Sequence, residues 1–497
     1  MCQLRLCRSN EYVRETAFVA SAGFGKTTFL TTVVLSLAAV NCVERLNFYI
    51  LDFGNNALTP LRTLPHVADY ISLDDEERFQ KFLRLIKGEM AYRKKQLAKK
   101  AVQNFEIYNQ MSEEQMKAIF IIIDNADAIK EMGFEMEEEF TVLTRDGSSL
   151  GIYVVMTATR GNAVRQATLN NFKNKIAGFN FDENEVRSLM GRSQYKLPEI
   201  KGRTMVKTGE INCMQFYSMV QSENELEYSE GIRKLVGEIR SMNPGKEAPH
   251  IPTLPEEFYS GMLEEYGGED REFYIGLEKE NVVKEGFFGG ETPFVILGEN
   301  SRGKTNMLQV ILDQISDDRQ IYLFDSPGME LYAYGRKENV TYVNSQEEAV
   351  KFREAMEAEI QQRRQKLQEA LETNPGVNPK LLLRKTDAPV IIMDDVDNFI
   401  TLVKTDMNKQ AALLRDAVEV GIPWIVTVYA TRTRGIDEVN RLVKQASNGL
   451  VLGSQGVSTI FPTVSTRDVP EMGSGLLFKN GSYRKVRLPK WGQQGMD

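Results

Sequence analysis

Two glycine-rich segments of this chain have the residue types and the spacing of a phosphate-binding loop. The second segment, Gly298 to Thr305, has the complete pattern of Gly, four residues, Gly, Lys and Thr, and it lies between an apolar run and a helix-like stretch. In loops of this kind the backbone N–H groups and the helix N-terminus hold phosphate oxygens. Lys304 is then expected to reach the β- and γ-phosphates, and the Thr305 hydroxyl to bind Mg²⁺. The pattern therefore predicts ATP and Mg²⁺ as ligands.

The first segment, Ala20 to Thr27, has the same pattern except that Ala20 stands in place of the first glycine. It also follows an apolar strand and precedes a helix-like stretch, which is the context that gives the pattern its meaning. We therefore predict a second nucleotide site. The predicted nucleotide contacts are Gly23, Gly25, Lys26, Thr27 and Thr28 in the first loop and Gly298, Gly303, Lys304, Thr305 and Asn306 in the second.

A carboxylate ends a continuous apolar run downstream of each loop, at Asp124 and at Asp394. Such runs are typical of strands that are buried on both faces of a parallel sheet. Together with Thr27 and Thr305, these carboxylates are predicted to hold Mg²⁺, partly through water. The alternative is that each aspartate only caps a turn at the end of its strand.

The residue after each of these aspartates is Asn125 or Asp395, where hydrolytic ring ATPases usually have glutamate. An amide cannot accept a proton, and aspartate reaches one methylene less far than glutamate. Because a positioned base contributes roughly 10²–10⁴-fold to a rate, we predict that both sites bind ATP and that turnover is weak or absent. Asp127 and Asp397 are possible substitutes for the base, but capping of the helices that follow is the favoured interpretation.

Two arginines, Arg145 and Arg415, recur at matching positions and are candidates for a transition-state arginine donated by a neighbouring subunit or module. The alternative is an exposed helix arginine paired with the adjacent aspartate. Polar residues at the end of the neighbouring strand are candidate sensors of the nucleotide: Thr157, Thr159 and Arg160 in the first module and Thr427, Tyr429 and Arg432 in the second.

The elements that would position these residues alternate between apolar strands and amphipathic helices, which indicates an α/β fold. The motifs occur twice, in the same order and at nearly the same spacing, so we predict two tandem RecA-like P-loop NTPase domains, each a mainly parallel sheet with helices on both faces. The predicted boundaries are a first module at 1–241, a proline-rich linker at 242–258 and a second module at 259–497. Gly276 precedes the second loop, and its counterpart would lie before residue 1, so further modules are expected upstream.

The composition of the chain excludes several classes of protein. A net charge of −8 and a pI near 5.4 argue against nucleic acid as a partner. The 4 cysteines form no CxxC pair, which argues against a disulfide framework. With only 2 histidines, a histidine-rich zinc site and a Ser/His/Asp triad are nearly excluded.

The segments Leu51-Asp-Phe-Gly, Leu64-Pro-His-Val and Gly151 to Arg160 resemble the FtsK/SpoIIIE family of RecA-like motors, and most closely its type VII secretion ATPases. In the second module Asn339 to Val343 replaces the Leu-Pro-His-Val segment, which is a departure from that pattern. The resemblance implies a membrane-anchored, homo-hexameric protein at the cytoplasmic face of the cell membrane. Its partners would be secreted WXG100-type proteins, other secretion-machine subunits and upstream modules of the same protein. A DNA-translocating ATPase and a non-hydrolysing, ATP-bound docking platform are the alternatives.

Overall fold

The computed structural model describes residues 14–374, 376, 378–384, 387–432, 435–456 and 458–492. The chain divides into two compact units between Ile251 and Pro252. This boundary lies inside the proline-rich stretch 242–258.

Unit 1 contains eight strands and eight helices among its described residues, and they alternate along most of the chain. They are β1 (Thr16–Val19), α1 (Lys26–Val40), β2 (Leu46–Asp52), β3 (Val67–Ser72), α2 (Glu76–Lys99), α3 (Phe105–Met111), β4 (Ala118–Asp124), α4 (Asp127–Glu131), α5 (Phe134–Asp146), β5 (Ile152–Ala158), α6 (Gln166–Asn171), β6 (Asn174–Gly178), α7 (Glu183–Met190), β7 (Arg203–Lys207), β8 (Ile211–Gln215) and α8 (Glu225–Met242).

The eight strands form one sheet in the order β3-β2-β4-β5-β1-β6-β7-β8. The first six run parallel, and β7 and β8 add an antiparallel hairpin at the edge. In the central strand β4, successive side chains enter two different cores. Ile121 and Ile123 pack with α2 and α5, whereas Phe120 and Ile122 pack with α1 and α8. Helices therefore cover both faces, as the continuous apolar runs predicted.

Unit 2 repeats this arrangement and adds a hairpin. Its elements are β9 (Phe273–Glu278), β10 (Lys284–Phe287), β11 (Phe294–Gly298), α9 (Lys304–Leu312), β12 (Ile321–Phe324), β13 (Val340–Tyr342), α10 (Gln346–Thr373), α11 (Pro379–Arg384), β14 (Val390–Met393), α12 (Val396–Leu402), α13 (Met407–Glu419), β15 (Trp424–Tyr429), α14 (Glu438–Lys444), β16 (Asn448–Leu452), β17 (Ser474–Lys479) and β18 (Ser482–Arg487).

The sheet of unit 2 has the order β10-β9-β18-β17-β16-β11-β15-β14-β12-β13. From β13 to β16 its strands are parallel and follow the same order as those from β3 to β6 in unit 1. The hairpin β9–β10 has no counterpart among the described residues of unit 1. The predicted fold, two α/β units with mainly parallel sheets, is confirmed.

A buried arginine on the long helix of each unit donates hydrogen bonds to backbone carbonyls just before two neighbouring central strands. Arg93 of α2 is 2% exposed and donates to the carbonyls of Lys117 and Leu150, each at 2.8 Å. Arg363 of α10 donates in the same way to Asp387 and Val420, at 3.3 and 3.1 Å. The glutamate one turn earlier on the same helix pairs with each guanidinium, and both arginines are buried.

The proline-rich stretch contains no helix or strand from 243 to 258, yet it packs closely. The Ala248 N–H donates to the Pro65 carbonyl at 2.8 Å, and Ile251 is 4% exposed in the core of unit 1. Phe258 is 2% exposed in the core of unit 2. Its proline density excludes regular structure, but apolar residues fix the two ends of the stretch to their own units.

Candidate nucleotide sites

The first phosphate loop connects β1 to α1 at the carboxyl edge of the sheet. Gly23 and Gly25 have φ values of 83° and 90°, a left-handed conformation that glycine adopts at little cost. Helix α1 begins at Lys26, whose ammonium donates to the carbonyls of Ala20 and Ser21 at 2.6 and 3.0 Å. Burial lowers the pKa of Lys26, with Asp124 acting in the opposite direction.

The replacement of the first glycine by Ala20 is compensated on the neighbouring strand. A Cβ on Gly178, in β6, would lie 2.7 Å from the Ala20 methyl, so the glycine there leaves room for it. In unit 2 the arrangement is reversed, because Leu452 occupies the position of Gly178 and Gly298 that of Ala20. A Cβ on Gly298 would lie 2.9 Å from the Leu452 carbonyl oxygen. Ala20 is therefore not a defect of the first loop.

Four residues form a hydrogen-bonded network beside the loop of unit 1. Asp124 ends β4 and is 5% exposed. Its two carboxylate oxygens accept from the hydroxyls of Thr27, at 2.9 Å, and Thr157, at 2.5 Å. The Thr157 hydroxyl in turn accepts from the Asn125 N–H at 3.0 Å. Burial raises the pKa of Asp124, while the two threonine hydroxyls oppose that shift.

Unit 2 has the same network. Asp394 is 5% exposed and accepts from Thr305 at 3.3 Å and from Thr427 at 2.7 Å. The Thr427 hydroxyl accepts from the Asp395 N–H at 2.7 Å. In both units the loop threonine and the strand-end carboxylate thus lie side by side. These are hard oxygen ligands, and a pair of them completed by phosphate oxygens and water suits Mg²⁺.

The residues after these aspartates adopt a left-handed backbone, with φ of 62° at Asn125 and 69° at Asp395. Asparagine and aspartate are enriched in this region, which gives a conformational reason for their presence here. The Asn125 amide donates to the Phe53 carbonyl at 3.2 Å. Asp395 instead caps α12, because its carboxylate accepts from the Asp397 N–H at 3.1 Å.

The prediction that Asp127 and Asp397 cap the following helices is wrong. Asp127 lies inside α4 and accepts from both the N–H and the hydroxyl of Thr159. The Asp397 carboxylate lies 4.0 Å from the Arg432 guanidinium. The residue that caps α12 is Asp395. The candidate sensors Thr157 and Thr427 belong to the networks described above, and Thr159 contacts Asp127 rather than Asp124.

The surroundings of the two loops differ. In unit 2 the Lys304 ammonium donates to the carbonyls of Gly298 and Glu299, and it lies 3.8 Å from the centre of the Tyr429 ring. Burial lowers the pKa of Lys304, whereas Asp394 and Glu299 act in the opposite direction. At the matching positions unit 1 has Thr159 in place of the tyrosine and Ser21 in place of the glutamate.

Two predicted nucleotide contacts lie in the first turns of the helices. Thr28 is half-buried in α1. The Asn306 side chain donates to the Pro489 carbonyl at 3.0 Å and accepts from the Trp491 N–H at 2.9 Å. The side chain of Asn306 thus anchors the segment after β18, which leaves its backbone at the helix N-terminus for any contact with phosphate.

The candidate arginines lie at the other edge of each sheet. Arg145 precedes the amino end of β5, whereas the loop follows the carboxyl end of the parallel strand β1. Its side chain is 61% exposed and pairs with Asp146 at 2.7 Å. Arg415 is exposed on α13, before β15. Neither arginine meets the loop of its own unit, so a catalytic role requires a neighbouring subunit or module and stays a prediction.

One further buried carboxylate stands beside each network and was not singled out as a site residue. Asp52 ends β2 directly opposite Asp124 and is 1% exposed. It accepts from the Tyr70 hydroxyl at 2.8 Å, as Asp325 accepts from Tyr342 in unit 2. The signal in the sequence was the repeated aspartate at the end of a second buried strand.

A model of the FtsK/SpoIIIE family matches residues 16–193. Over 94% of its length the chain is 34% identical to the ESX secretion system protein YukB of Bacillus subtilis (strain 168). It is 30% identical over 95% of its length to the ESX secretion system protein EccC of Geobacillus thermodenitrificans (strain NG80-2). The solved structure of EssC (ATPases 2 and 3) from Geobacillus thermodenitrificans has a TM-score of 0.88 and 28% identity, and the match covers 96% of this chain and 92% of that one.

Residues 16–193 thus form an FtsK/SpoIIIE-type domain, and the chain as a whole is a homologue of the secretion-system proteins YukB and EccC. It spans 32% of the length of the two curated relatives. Both units have the fold of the tandem ATPase domains of EssC, since the match to that structure extends over nearly the whole chain. Among its described residues, no helix is long and apolar enough to cross a membrane.

Proposed function

We propose that this chain is the ATP-binding coupling part of a type VII protein secretion machine, in which both units hold MgATP and turn it over slowly or not at all. The observation that carries the proposal is the repeated arrangement of loop lysine, loop threonine and strand-end aspartate in a homologue of secretion-system ATPases. Two units with the same network support two nucleotide sites.

Nucleotide binding requires a change at the loop lysines. Lys26 and Lys304 both donate to carbonyls of their own loops. On binding, each ammonium exchanges these neutral acceptors for anionic phosphate oxygens, which form stronger, charge-assisted hydrogen bonds. Thr27 with Asp124, and Thr305 with Asp394, would hold Mg²⁺, which neutralises phosphate charge when bound.

Weak turnover follows from the residues at positions 125 and 395. Asn125 has no basic atom, and its amide is engaged with Phe53. The Asp395 carboxylate is engaged as a helix cap, and it is shorter than the glutamate expected of a base. A transition-state arginine would have to come from outside each unit, with Arg145 and Arg415 as the candidates.

The homology also supports a location and partners. The relatives are named as proteins of ESX or type VII secretion systems, so we propose that the chain works at the cytoplasmic face of the cell membrane with other secretion-machine subunits and upstream modules. Secreted WXG100-type proteins are its proposed substrates, and a homo-hexamer is the proposed assembly of the full-length protein.

Binding and turnover are separated by comparing wild type with Lys26→Ala, Lys304→Ala and the double variant. We expect calorimetric titration with MgATP to give two sites in wild type, one in each single variant and none in the double variant. Phosphate release should be close to that of the double variant. Loss of both sites from a single substitution would contradict independent binding, and rapid release abolished by either substitution would contradict slow turnover.

The role in secretion is tested against the DNA-translocase alternative. We expect stable association with a WXG100-type protein secreted by the same cell, and no tight binding of duplex DNA at about 150 mM salt, where exposed charges are largely screened. The opposite pair of results would favour a DNA translocase. A docking platform that holds ATP as a fixed structural ligand is favoured if phosphate release by wild type is indistinguishable from that of the double lysine variant.

A further inference from the structure

Three phenylalanines form an aromatic cluster at the phosphate loop of unit 1. Phe24 lies within the loop, between Gly23 and Gly25, while Phe179 and Phe181 follow β6. The ring centres of Phe24 and Phe179 are 4.8 Å apart, those of Phe24 and Phe181 are 6.2 Å apart, and those of Phe179 and Phe181 are 5.3 Å apart. Such distances are typical of packed aromatic pairs.

Hydrogen bonds fix this cluster to the loop backbone. The Ser21 N–H donates to the Phe179 carbonyl at 3.0 Å, and the Phe181 N–H donates to the Ser21 hydroxyl at 3.3 Å. That hydroxyl also donates to the Asn180 side chain at 3.3 Å, whose amide nitrogen binds the Thr159 carbonyl. The segment after β6 is therefore attached both to the loop and to the strand end beside Asp127.

Phe181 is the open member of the cluster. Its side chain is 75% exposed, whereas Phe24 and Phe179 are half-buried. An exposed aromatic ring costs free energy in water unless a ligand covers it. The three matching positions of unit 2 carry no aromatic ring. Arg302 replaces Phe24, Gly453 replaces Phe179 and Gln455 replaces Phe181.

We propose that the Phe24–Phe179–Phe181 cluster is a base-stacking platform that holds the purine of the nucleotide bound in unit 1. This inference rests on the proposed binding of ATP there. In a nucleotide the base is joined to the α-phosphate through a single ribose. When the phosphates lie in the loop, an aromatic ring carried by the loop is therefore within reach of the base. The base is the favoured occupant because it is delivered by the same ligand that the loop holds.

Recognition by stacking has a specific consequence. Every base has a π-face, so a platform without edge contacts tolerates different bases. We therefore expect ATP and GTP to bind unit 1 with similar affinity and the smaller pyrimidine of UTP to bind more weakly. Unit 2, with a guanidinium and a glutamine at these positions, provides no such platform.

The test uses the full chain with Lys304→Ala, which leaves unit 1 as the only nucleotide site. Calorimetry compares MgATP with magnesium tripolyphosphate, a probe that has no base. Phe181→Ala is expected to weaken ATP binding roughly tenfold, which is about 1.4 kcal/mol and is typical of the loss of one stacked ring. Tripolyphosphate binding should be unchanged, and Phe181→Trp should restore or strengthen ATP binding. The matched control is Gln455→Ala with Lys26→Ala, where ATP binding to unit 2 should stay the same.

Two results overturn the platform while leaving nucleotide binding intact. The first is unchanged ATP affinity in Phe181→Ala, which would leave the exposed ring to a protein partner. The second is an equal loss for ATP and tripolyphosphate, which would mean that the ring only supports the loop. If Lys26→Ala has no effect in the Lys304→Ala chain, the proposed nucleotide site of unit 1 fails, and the platform fails with it.

Discussion

The two units of this chain hold the same four-residue network on the same sheet, but their phosphate loops lie in different surroundings. In unit 1 Thr159 occupies the position that Tyr429 has in unit 2, and the Phe24–Phe179–Phe181 cluster lies at the loop. In unit 2 the lysine lies under the Tyr429 ring, and Glu299 adds a negative charge beside it. Ser301 also adopts a left-handed conformation, with φ of 57°, where unit 1 has Gly23. In the loop that matches the motif completely, the lysine thus has a ring contact in addition to its hydrogen bonds to the loop carbonyls.

This comparison teaches that a phosphate loop cannot be ranked by its motif alone. The glycine pattern shows only at which backbone positions a side chain would clash or a left-handed conformation is required. The neighbours of the lysine, which come from distant parts of the chain, decide how easily the ammonium leaves its own loop for a phosphate.

The largest expected effect concerns positions 125 and 395, where we propose that a catalytic base is lacking. In the Lys304→Ala chain, Asn125→Glu should raise phosphate release about 10²-fold or more, since a positioned base contributes roughly 10²–10⁴-fold. Asp395→Glu in the Lys26→Ala chain should gain less, because it also disturbs the cap of α12. Asn125→Gln has the same reach without a base and should show no gain. An unchanged rate in Asn125→Glu, with ATP still bound, would show that the base does not limit turnover.

The next effect is on stability. Arg93→Ala removes a buried guanidinium and leaves Glu89 and two strand-end carbonyls without their partner, which should cost about 3–5 kcal/mol. Arg363→Ala should cost less, because its hydrogen bonds are longer. The 2 tryptophans, Trp424 and Trp491, both lie in unit 2. Denaturation of the Arg93→Ala chain should therefore shift the circular-dichroism transition more than the tryptophan-fluorescence transition, and equal shifts would contradict separate unfolding of the units.

A smaller effect tests whether Gly178 makes room for Ala20 in unit 1, as Gly298 makes room for Leu452 in unit 2. Gly178→Ala places a methyl group 2.7 Å from the Ala20 methyl and 3.0 Å from the Phe18 ring. Such overpacking typically costs about 1–3 kcal/mol. The double variant Gly178→Ala with Ala20→Gly should recover part of that loss in chemical denaturation. Failure of Ala20→Gly to rescue would show that the clash with Phe18 dominates.

The smallest effect exchanges Tyr429, which lies against Lys304, and Thr159, its counterpart in unit 1. Tyr429→Thr, in the Lys26→Ala chain, should strengthen ATP binding to unit 2 by about three- to tenfold, because a cation–π contact of roughly 0.5–2 kcal/mol no longer holds Lys304. Thr159→Tyr, in the Lys304→Ala chain, should weaken ATP binding to unit 1 to a similar degree. Calorimetry of the two chains, with Tyr429→Phe as the control that keeps the ring, measures both. Weaker binding in Tyr429→Thr would mean that the tyrosine contacts the nucleotide.

The sequence by itself determined the two-fold α/β fold and the identity of the loop residues. Continuous apolar runs such as Ile121 to Ile123 are stable only as strands covered on both faces, and their strand-end aspartates must then meet at one edge of the sheet. The repeated order of motifs predicted that both units would look alike, which the sheets confirm.

Only the tertiary structure decided what surrounds those residues. The contacts of Lys304 with Tyr429, of Ala20 with Gly178 and of Phe24 with Phe181 join residues that are far apart in the chain. The cap of α12 fell to Asp395 rather than Asp397 because the backbone turns left-handed there. Local patterns specify an element and its polar ends, whereas register between strands and the packing of side chains across them depend on the whole sheet.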